Sequence, residues 1–284
     1  MHSKTLSNGF SMPVLGIGTW GMGGGYTKST KDDTNHIAVL RAALELGITH
    51  IDTAELYGDG HAEELVREAI QGFDRKKLFI TTKVKGDHLH HDDVIAACNR
   101  SLKRLGTDYI DLYLVHWPSE DVLIEETMRV MNDVVDRKLV RFIGLSNFSV
   151  KQMKEAQKCS NHPLVAHQVE YSLLYRNQSE FSAPHMESEM LPFCQKDDVM
   201  FIAWSPLARG ALCKPGYKVL DEIAAKYRKT PAQVALNWLI SKKNMVTIPK
   251  ASSVAHVNEN LAALGWKLEK EDIERLNMSR PFGS

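Results

Sequence analysis

Thr49-His50-Ile51-Asp52-Thr53-Ala54-Glu55-Leu56-Tyr57-Gly58 decides how the chain is read: a short apolar run ends in a carboxylate, and a tyrosine follows shortly after. The same grammar recurs in Leu78-Phe79-Ile80-Thr81-Thr82-Lys83 and in Leu112-Tyr113-Leu114-Val115-His116-Trp117-Pro118. Asp52, Tyr57, Lys83 and His116 therefore stand at or just past the end of strand-like runs. In a closed parallel sheet with helical crossovers, the carboxyl ends of the strands share one face, so residues far apart in sequence meet there. The expectation is a carboxylate, a phenol, an amine and an imidazole around one pocket.

Working outward, the sequence alternates apolar runs with amphipathic stretches. The runs are Val14 to Gly18, Ile48 to Asp52, Leu78 to Lys83, Tyr109 to His116, Val140 to Ser146, Leu164 to Val169, Val199 to Trp204 and Met245 to Ile248. Between them, apolar residues recur at helical spacing, as in Ala62, Leu65, Val66 and Ala69, or Ala232, Ala235, Leu236 and Leu239. Strand–helix alternation implies parallel strands with crossover helices. The expected fold is α/β: a single (β/α)8 TIM barrel over residues 1–284. Its bottom is capped by an N-terminal β-hairpin, Lys4 to Pro13, turning at Asn8-Gly9. Ser149 and Thr230-Pro231 supply helix starts. The segment Asn177 to Glu189, rich in Ser, Pro and Asn, reads as an exposed loop before the sixth helix.

The chain has 284 residues, of which 43% are hydrophobic, enough for one large core. Its 35 basic and 35 acidic side chains cancel, so nothing in the charge points to nucleic acid or an anionic membrane. No signal-like segment opens it and no run approaches a membrane span, so a cytoplasmic, soluble protein is expected. Cys98, Cys159, Cys194 and Cys213 are scattered, without a Cys-x-x-Cys pair, and are expected to be reduced packing residues.

Two motifs are set aside. Gly16-Ile17-Gly18-Thr19-Trp20-Gly21 is literally G-x-G-x-x-G, but that fingerprint needs a helix to begin within the glycines, and helical periodicity starts only near Asp32. Gly86-Asp87-His88-Leu89-His90-His91-Asp92-Asp93 crowds imidazoles and carboxylates together. Asp92 and Asp93 at a helix start are more simply caps and dipole partners, and no metal is expected. His88 or His90 is left as a substrate contact.

The quartet fits one chemistry well. Carbonyl reduction needs a hydride on carbon and a proton on oxygen, and tyrosine gives that proton readily if its pKa falls from about 10. A neighbouring ammonium favours the phenolate. Lys83 is that ammonium, held by Asp52, while His116 donates a hydrogen bond that orients the carbonyl oxygen.

On these segments the chain resembles the aldo-keto reductases, (β/α)8 barrels that reduce aldehydes and ketones with NADPH, and the likeness runs from Asn8-Gly9 to about Leu276. It implies that Gly18, Thr19 and Trp20 border the nicotinamide, with Trp20, Tyr57, His116 and Trp117 around the substrate. It implies that Ser146, Asn147 and Gln168 hold the carboxamide and that Trp204, usually tyrosine in relatives, stacks on the ring. Ser205, Leu207, Arg209 and Gly210 would approach the pyrophosphate, and Asp52 also borders the cofactor. Lys250, Ser252, His256, Glu259 and Asn260 resemble the adenosine-end segment, with Lys250 on the 2′-phosphate. Ala251 stands for a common serine and His256 for a common arginine, which leaves NADH open as a cofactor. The short tail after Asn277 implies an open pocket, and a monomer is the family-level expectation.

The expected function is thus NADPH-dependent reduction of a small carbonyl compound, with Tyr57 as general acid. An NADP(H)-binding regulatory subunit resembling the potassium-channel β subunits is the alternative. A barrel hydrolase or isomerase built on Asp52 and His116 is a third, because one fold hosts many chemistries.

Overall fold

A computed structural model of the chain describes residues 2–177 and 185–279. Strands β1 (Ser3–Thr5) and β2 (Ser11–Pro13) form the antiparallel hairpin. Its turn follows from Gly9 in the left-handed region (φ 85°) and from Asn8 Oδ1 accepting the Phe10 N–H at 2.9 Å. Eight parallel strands follow: β3 (Gly16–Gly18), β4 (His50–Asp52), β5 (Phe79–Val84), β6 (Ile110–Val115), β7 (Val140–Ser146), β8 (Leu164–Glu170), β9 (Met200–Trp204) and β10 (Met245–Thr247). They pair in chain order, and a parallel bridge between Leu15 and Thr247 brings the last strand against the first. This is a (β/α)8 TIM barrel, as the alternation predicts.

The crossovers are α1 (Asp33–Glu45), α2 (His61–Ile70), α3 (His91–Leu105), α4 (Ile124–Asp136), α5 (Val150–Cys159) and α6 (Leu191–Lys196). After β9 come α7 (Lys218–Tyr227) and α8 (Pro231–Ser241), and after β10 come α9 (Val254–Leu261) and α10 (Lys270–Met278). Ser149 and Thr230 both complete capping boxes, with Gln152 and Gln233. The stripe Ala62, Leu65, Val66, Ala69 is buried, as is Ala232, Ala235, Leu236, Leu239, so each helix packs its apolar face on the sheet.

The hairpin closes the bottom because its residues plug the strand starts. Leu6, Phe10 and Met12 join Phe79, Leu112, Val165, Met200 and Val246 in one buried cluster. Phe10 lies edge-on to Phe79 and Phe142, at ring separations of 6.0 and 4.9 Å. Burying such a ring contributes about 2–3 kcal/mol. Lys4 Nζ donates to the carbonyls of Ile240 and Lys242, tying the hairpin to the end of α8.

Two expectations are corrected. Cys98 and Cys194 are buried, but Cys159 is half-buried and Cys213 exposed. Cys213 ends a kinked 3-10 segment, Ala208–Cys213, which buries Ala208 and Leu212 and leaves Cys213 at the surface. Within Asn177 to Glu189, residues 178–184 lie outside the described ones, but Met186–Met190 is helical and leads directly into α6, with Met186 and Met190 buried. A pair of well-spaced methionines outweighs the polar residues between them. The α9 cap is Ser253, whose Oγ accepts the His256 N–H at 3.2 Å. The tail after Ser279 also lies outside the described residues.

Candidate active site

The carboxyl ends of the strands bring the quartet together. Asp52 is the last residue of β4, Lys83 the penultimate residue of β5, and His116 follows β6. Tyr57 opens a tight turn, Tyr57–Gly60, in which Gly58, Asp59 and Gly60 all have positive φ (58°, 54° and 86°). Glycine tolerates this region at no steric cost, and the turn lets the chain reverse immediately beyond the tyrosine. The Gly58 N–H donates to Gly25 O at 2.6 Å, fastening the turn to the loop that carries Tyr26.

Lys83 Nζ donates to Asp52 Oδ1 at 2.6 Å, to Thr53 O at 2.8 Å and to Tyr57 Oη at 3.4 Å. Lys83 and Asp52 are almost completely buried, 0% and 1% exposed, so the ammonium is tolerated only because three oxygens surround it. Burial works against the Lys83 charge, but Asp52 and Tyr57 more than offset it, and the amine lies above the ordinary lysine value. Burial pushes the Asp52 carboxyl up, with Lys83 and Gln168 holding it partly down.

For Tyr57 the expected direction is reversed. Burial raises the phenol, the nearby Lys83 ammonium lowers it only in part, and the balance lies above the ordinary 10.0. Desolvation of a phenolate on a nearly closed site exceeds the attraction of a cation that already shares its charge with a carboxylate. The phenol is therefore held as a proton donor at neutral pH. The His116 ring lies 5.6 Å from the Tyr57 ring, and burial, then Lys83, pushes its pKa far below 6.5. His116 is a neutral imidazole, which still donates one N–H.

Aromatic rings continue the wall. Trp20 packs edge-on against Tyr57 at 5.0 Å and against Tyr26 at 5.1 Å, and Trp117 stacks on His116 at 6.4 Å. Trp20 and Tyr26 are 43% and 66% exposed, leaving this wall open to a ligand.

The opposite side holds polar groups. Asn147, just beyond β7 and in the left-handed region (φ 64°), donates Nδ2–H to His116 O at 3.0 Å and to Ser146 Oγ at 2.9 Å. Its Oδ1 accepts Trp204 Nε1–H at 3.3 Å. Ser146 Oγ donates to Gln168 O at 2.9 Å, and Gln168 Nε2 donates to Asp52 Oδ2 at 2.7 Å. Beyond β9, Ser205, Ala208, Arg209 and Gly210 have positive φ (53°, 48°, 55° and 91°), and Gly210 N–H donates to Leu207 O at 2.9 Å. Arg209 lies 3.9 Å from Glu170.

Past β10, Lys250, Ser252 and His256 are exposed together at the start of α9, with Ser252 Oγ 2.9 Å from His256 Nδ1. Asn260 Nδ2 donates to Lys250 O at 3.5 Å, and Glu259 O accepts from Gln233. Gly18 N–H donates to Pro249 O at 3.2 Å, and a Cβ on Gly18 would stand 2.8 Å from Ile248 O, so this strand end needs glycine. The next residue, Thr19, is buried and its N–H donates to Asp52 O at 3.0 Å. No helix begins in this glycine run, since α1 starts at Asp33.

The histidine-rich loop divides its partners. His88 meets Glu55 at 3.1 Å, His90 meets Glu126 at 3.1 Å, and His91 meets Asp92 and Asp133 at 2.9 and 3.0 Å. Glu55 was passed over in the sequence: buried, it also accepts the Lys85 N–H at 3.0 Å and fixes the loop beyond β5. Its place in the Asp52–Tyr57 run was the available signal. The Gln168–Asp52 contact had none.

The sequence model described as the Aldo/keto reductase family matches residues 14–280. The chain belongs to that family. Methylglyoxal reductase of Escherichia coli (strain K12) is 37% identical to this aldo-keto reductase, over 99% of this chain and 96% of that protein. Glyoxal reductase of Bacillus subtilis (strain 168) is 34% identical, over 96% and 90%. Among solved structures, a thermostable aldo-keto reductase in complex with the inhibitor epalrestat superposes with a TM-score of 0.91 at 42% identity, over 98% of this chain and 99% of that one. An aldo-keto reductase from Klebsiella pneumoniae, solved in complex with NADPH, gives a TM-score of 0.84 at 33% identity, over 98% and 95%. This aldo-keto reductase is thus an oxidoreductase of the carbonyl-reducing kind. Among its described residues no helix is long and apolar enough to cross a membrane.

Proposed function

We propose that the protein reduces aldehydes and ketones to alcohols with NADPH, Tyr57 Oη giving the proton. The observation that carries this is the Asp52–Lys83–Tyr57 chain at 2.6 and 3.4 Å, with a neutral His116 beside the phenol. The donor set fits a dinucleotide phosphate. Left-handed backbone at Ser205, Ala208, Arg209 and Gly210 folds the chain into a tight loop beyond β9 that carries the Arg209 guanidinium, and Lys250, Ser252 and His256 are exposed at and before the start of α9. Asn147 and Trp204 offer an amide and a flat ring at the other end. Thr19, Trp20, Ser146, Asn147, Gln168 and Trp204 would hold the nicotinamide end, Ser205, Leu207, Arg209 and Gly210 the pyrophosphate, and Lys250, Ser252, His256, Glu259 and Asn260 the adenosine end. Bound there, the cofactor supplies the hydride.

The side chains of this chain supply the rest. His116 donates a hydrogen bond to the carbonyl oxygen and Tyr57 another, so developing negative charge meets two fixed donors. The Tyr57 proton moves to that oxygen, and Lys83 stabilises the phenolate left behind. Trp20 and Trp117 exclude water from one side. Because relatives are named for reducing glyoxal and methylglyoxal, short 2-oxoaldehydes are the first substrates to try.

The test is loss of NADPH absorbance with a panel of aldehydes and ketones headed by these two. Turnover that disappears in Tyr57→Phe supports the proposal. Tight NADPH binding without turnover on any of them would overturn it in favour of a regulatory subunit.

A further inference from the structure

We propose that Gln168 is a positioning residue for proton transfer, acting through Asp52 and Lys83 on Tyr57, beyond any contact it makes with a cofactor carboxamide. The proposal rests on the reading of Tyr57 as the general acid.

Asp52 has two carboxylate oxygens and almost no access to water. Oδ1 is taken by Lys83 at 2.6 Å, and Oδ2 accepts Gln168 Nε2–H at 2.7 Å. Gln168 is itself buried, 2% exposed, on β8, so it cannot swing out into solvent. Its backbone is held as well: Gln168 O accepts from Ser146 Oγ at 2.9 Å and from the Asn147 N–H at 3.0 Å. The amide thus comes from a strand end that neighbouring β7 fixes. Two donors on opposite oxygens set the plane of a carboxylate, whereas one donor leaves it free to rotate.

Tyr57 is where the consequence appears. The titratable groups around the phenol are Lys83 from β5, Asp52 from β4, His116 beyond β6 and Tyr26 in the loop after β3. Among the described residues, only Lys83 carries a positive charge there, and it reaches Tyr57 Oη from 3.4 Å while fastened to Asp52. If the Asp52 carboxylate rotates, Lys83 Nζ follows the oxygen it is bonded to and leaves the phenol. Withdrawal of the ammonium makes the phenolate harder to form.

The experiment measures kcat and KM against pH in both directions for the wild type, Gln168→Met and Asn147→Ala. Gln168→Met keeps the length of the side chain without the N–H donor, and Asn147 does not touch Asp52. The expected result is that Gln168→Met moves the rising limb of kcat for alcohol oxidation up by about 0.5–1 pH unit, the size of one lost hydrogen bond to a charged form. Asn147→Ala should raise KM for NADPH with the limb unmoved. A second readout needs no cofactor: ultraviolet titration of the phenolate, wild type minus Tyr57→Phe, repeated in the Gln168→Met background, should show the Tyr57 step at higher pH. If Gln168→Met does not fold, Gln168→Asn, whose amide is too short to reach, serves in its place.

A Gln168 variant that raises KM for NADPH alone, with wild-type pH limb and phenolate titration, would overturn the proposal. Full activity in Tyr57→Phe would instead remove the general-acid reading, so the two failures are distinguishable.

Discussion

The ammonium of Lys83 and the phenol oxygen of Tyr57 stand 3.4 Å apart, with Lys83 wholly closed to solvent and Tyr57 only 9% exposed. Burial still wins over the cation and holds the phenol above its ordinary value. Reduction, which uses the protonated phenol, should therefore keep its rate across neutral pH and fall only in the alkaline range. Alcohol oxidation, which uses the phenolate, should rise with pH over the same interval. Tyr57→Phe should lower kcat for reduction about 10²–10⁴-fold, the usual contribution of a positioned acid, with NADPH affinity by fluorescence titration kept. A reduction rate that falls between pH 6 and 8, in steps where chemistry limits turnover, would contradict the protonated state argued for Tyr57.

Lys83 and Asp52 also bear on stability. Lys83→Met leaves a buried carboxylate with Gln168 as its remaining side-chain donor, and removal of one partner of a buried pair costs about 3–5 kcal/mol. Adding Asp52→Asn to Lys83→Met should recover part of that loss, because no lone charge is left behind. Urea unfolding of the two single variants and the double variant would measure this coupling. Strictly additive losses would argue against it.

His50 and His167 are buried imidazoles whose desolvation, assisted at His50 by Lys83, takes each from 6.5 to about 3. His50 Nε2 lies 3.1 Å from Thr81 Oγ1, and His167 Nε2 accepts the Phe148 N–H at 3.1 Å, so both rings are built in neutral. The unfolded rings bind protons below 6.5 and the folded ones do not. Their stabilising effect is full above that pH and is lost as pH falls toward 3, at about 1.4 kcal/mol per unit for each ring. Unfolding midpoints between pH 7 and 5 should fall accordingly, and His167→Gln should flatten the slope by about half.

Lys250 should separate the two dinucleotides. It is exposed between β10 and α9, with Nζ near Gly21, and a charge-assisted bond to phosphate contributes about 1.5–3 kcal/mol. Lys250→Ala should weaken NADPH binding by about ten- to a hundredfold and leave NADH nearly unchanged, as read by cofactor fluorescence. Equal losses for both would remove Lys250 from the 2′-phosphate.

Much of the fold was legible because its signals are local. The eight apolar runs became eight strands in the same order, and β7 kept its bounds of Val140–Ser146. Others shortened: the run from Val14 pairs regularly only at Gly16–Gly18, although Leu15 still bridges to Thr247. Ser149 and Thr230 announced their caps within three residues of sequence. The helices Lys218–Tyr227 and Lys270–Met278, and the helical turn Met186–Met190, were not singled out, since none of them sits where a simple strand–helix count requires it.

Residue types and their places at strand ends, written in the chain itself, determined the barrel and nominated Asp52, Tyr57, Lys83 and His116. Tertiary structure alone decided the balance of forces among them. Whether Tyr57 moves up or down depends on how completely neighbouring elements exclude water, and which donor holds Asp52 depends on Gln168 arriving across the barrel from β8. Periodicity records which face of an element is buried, whereas desolvation and long-range hydrogen bonds are set only once the sheet has closed.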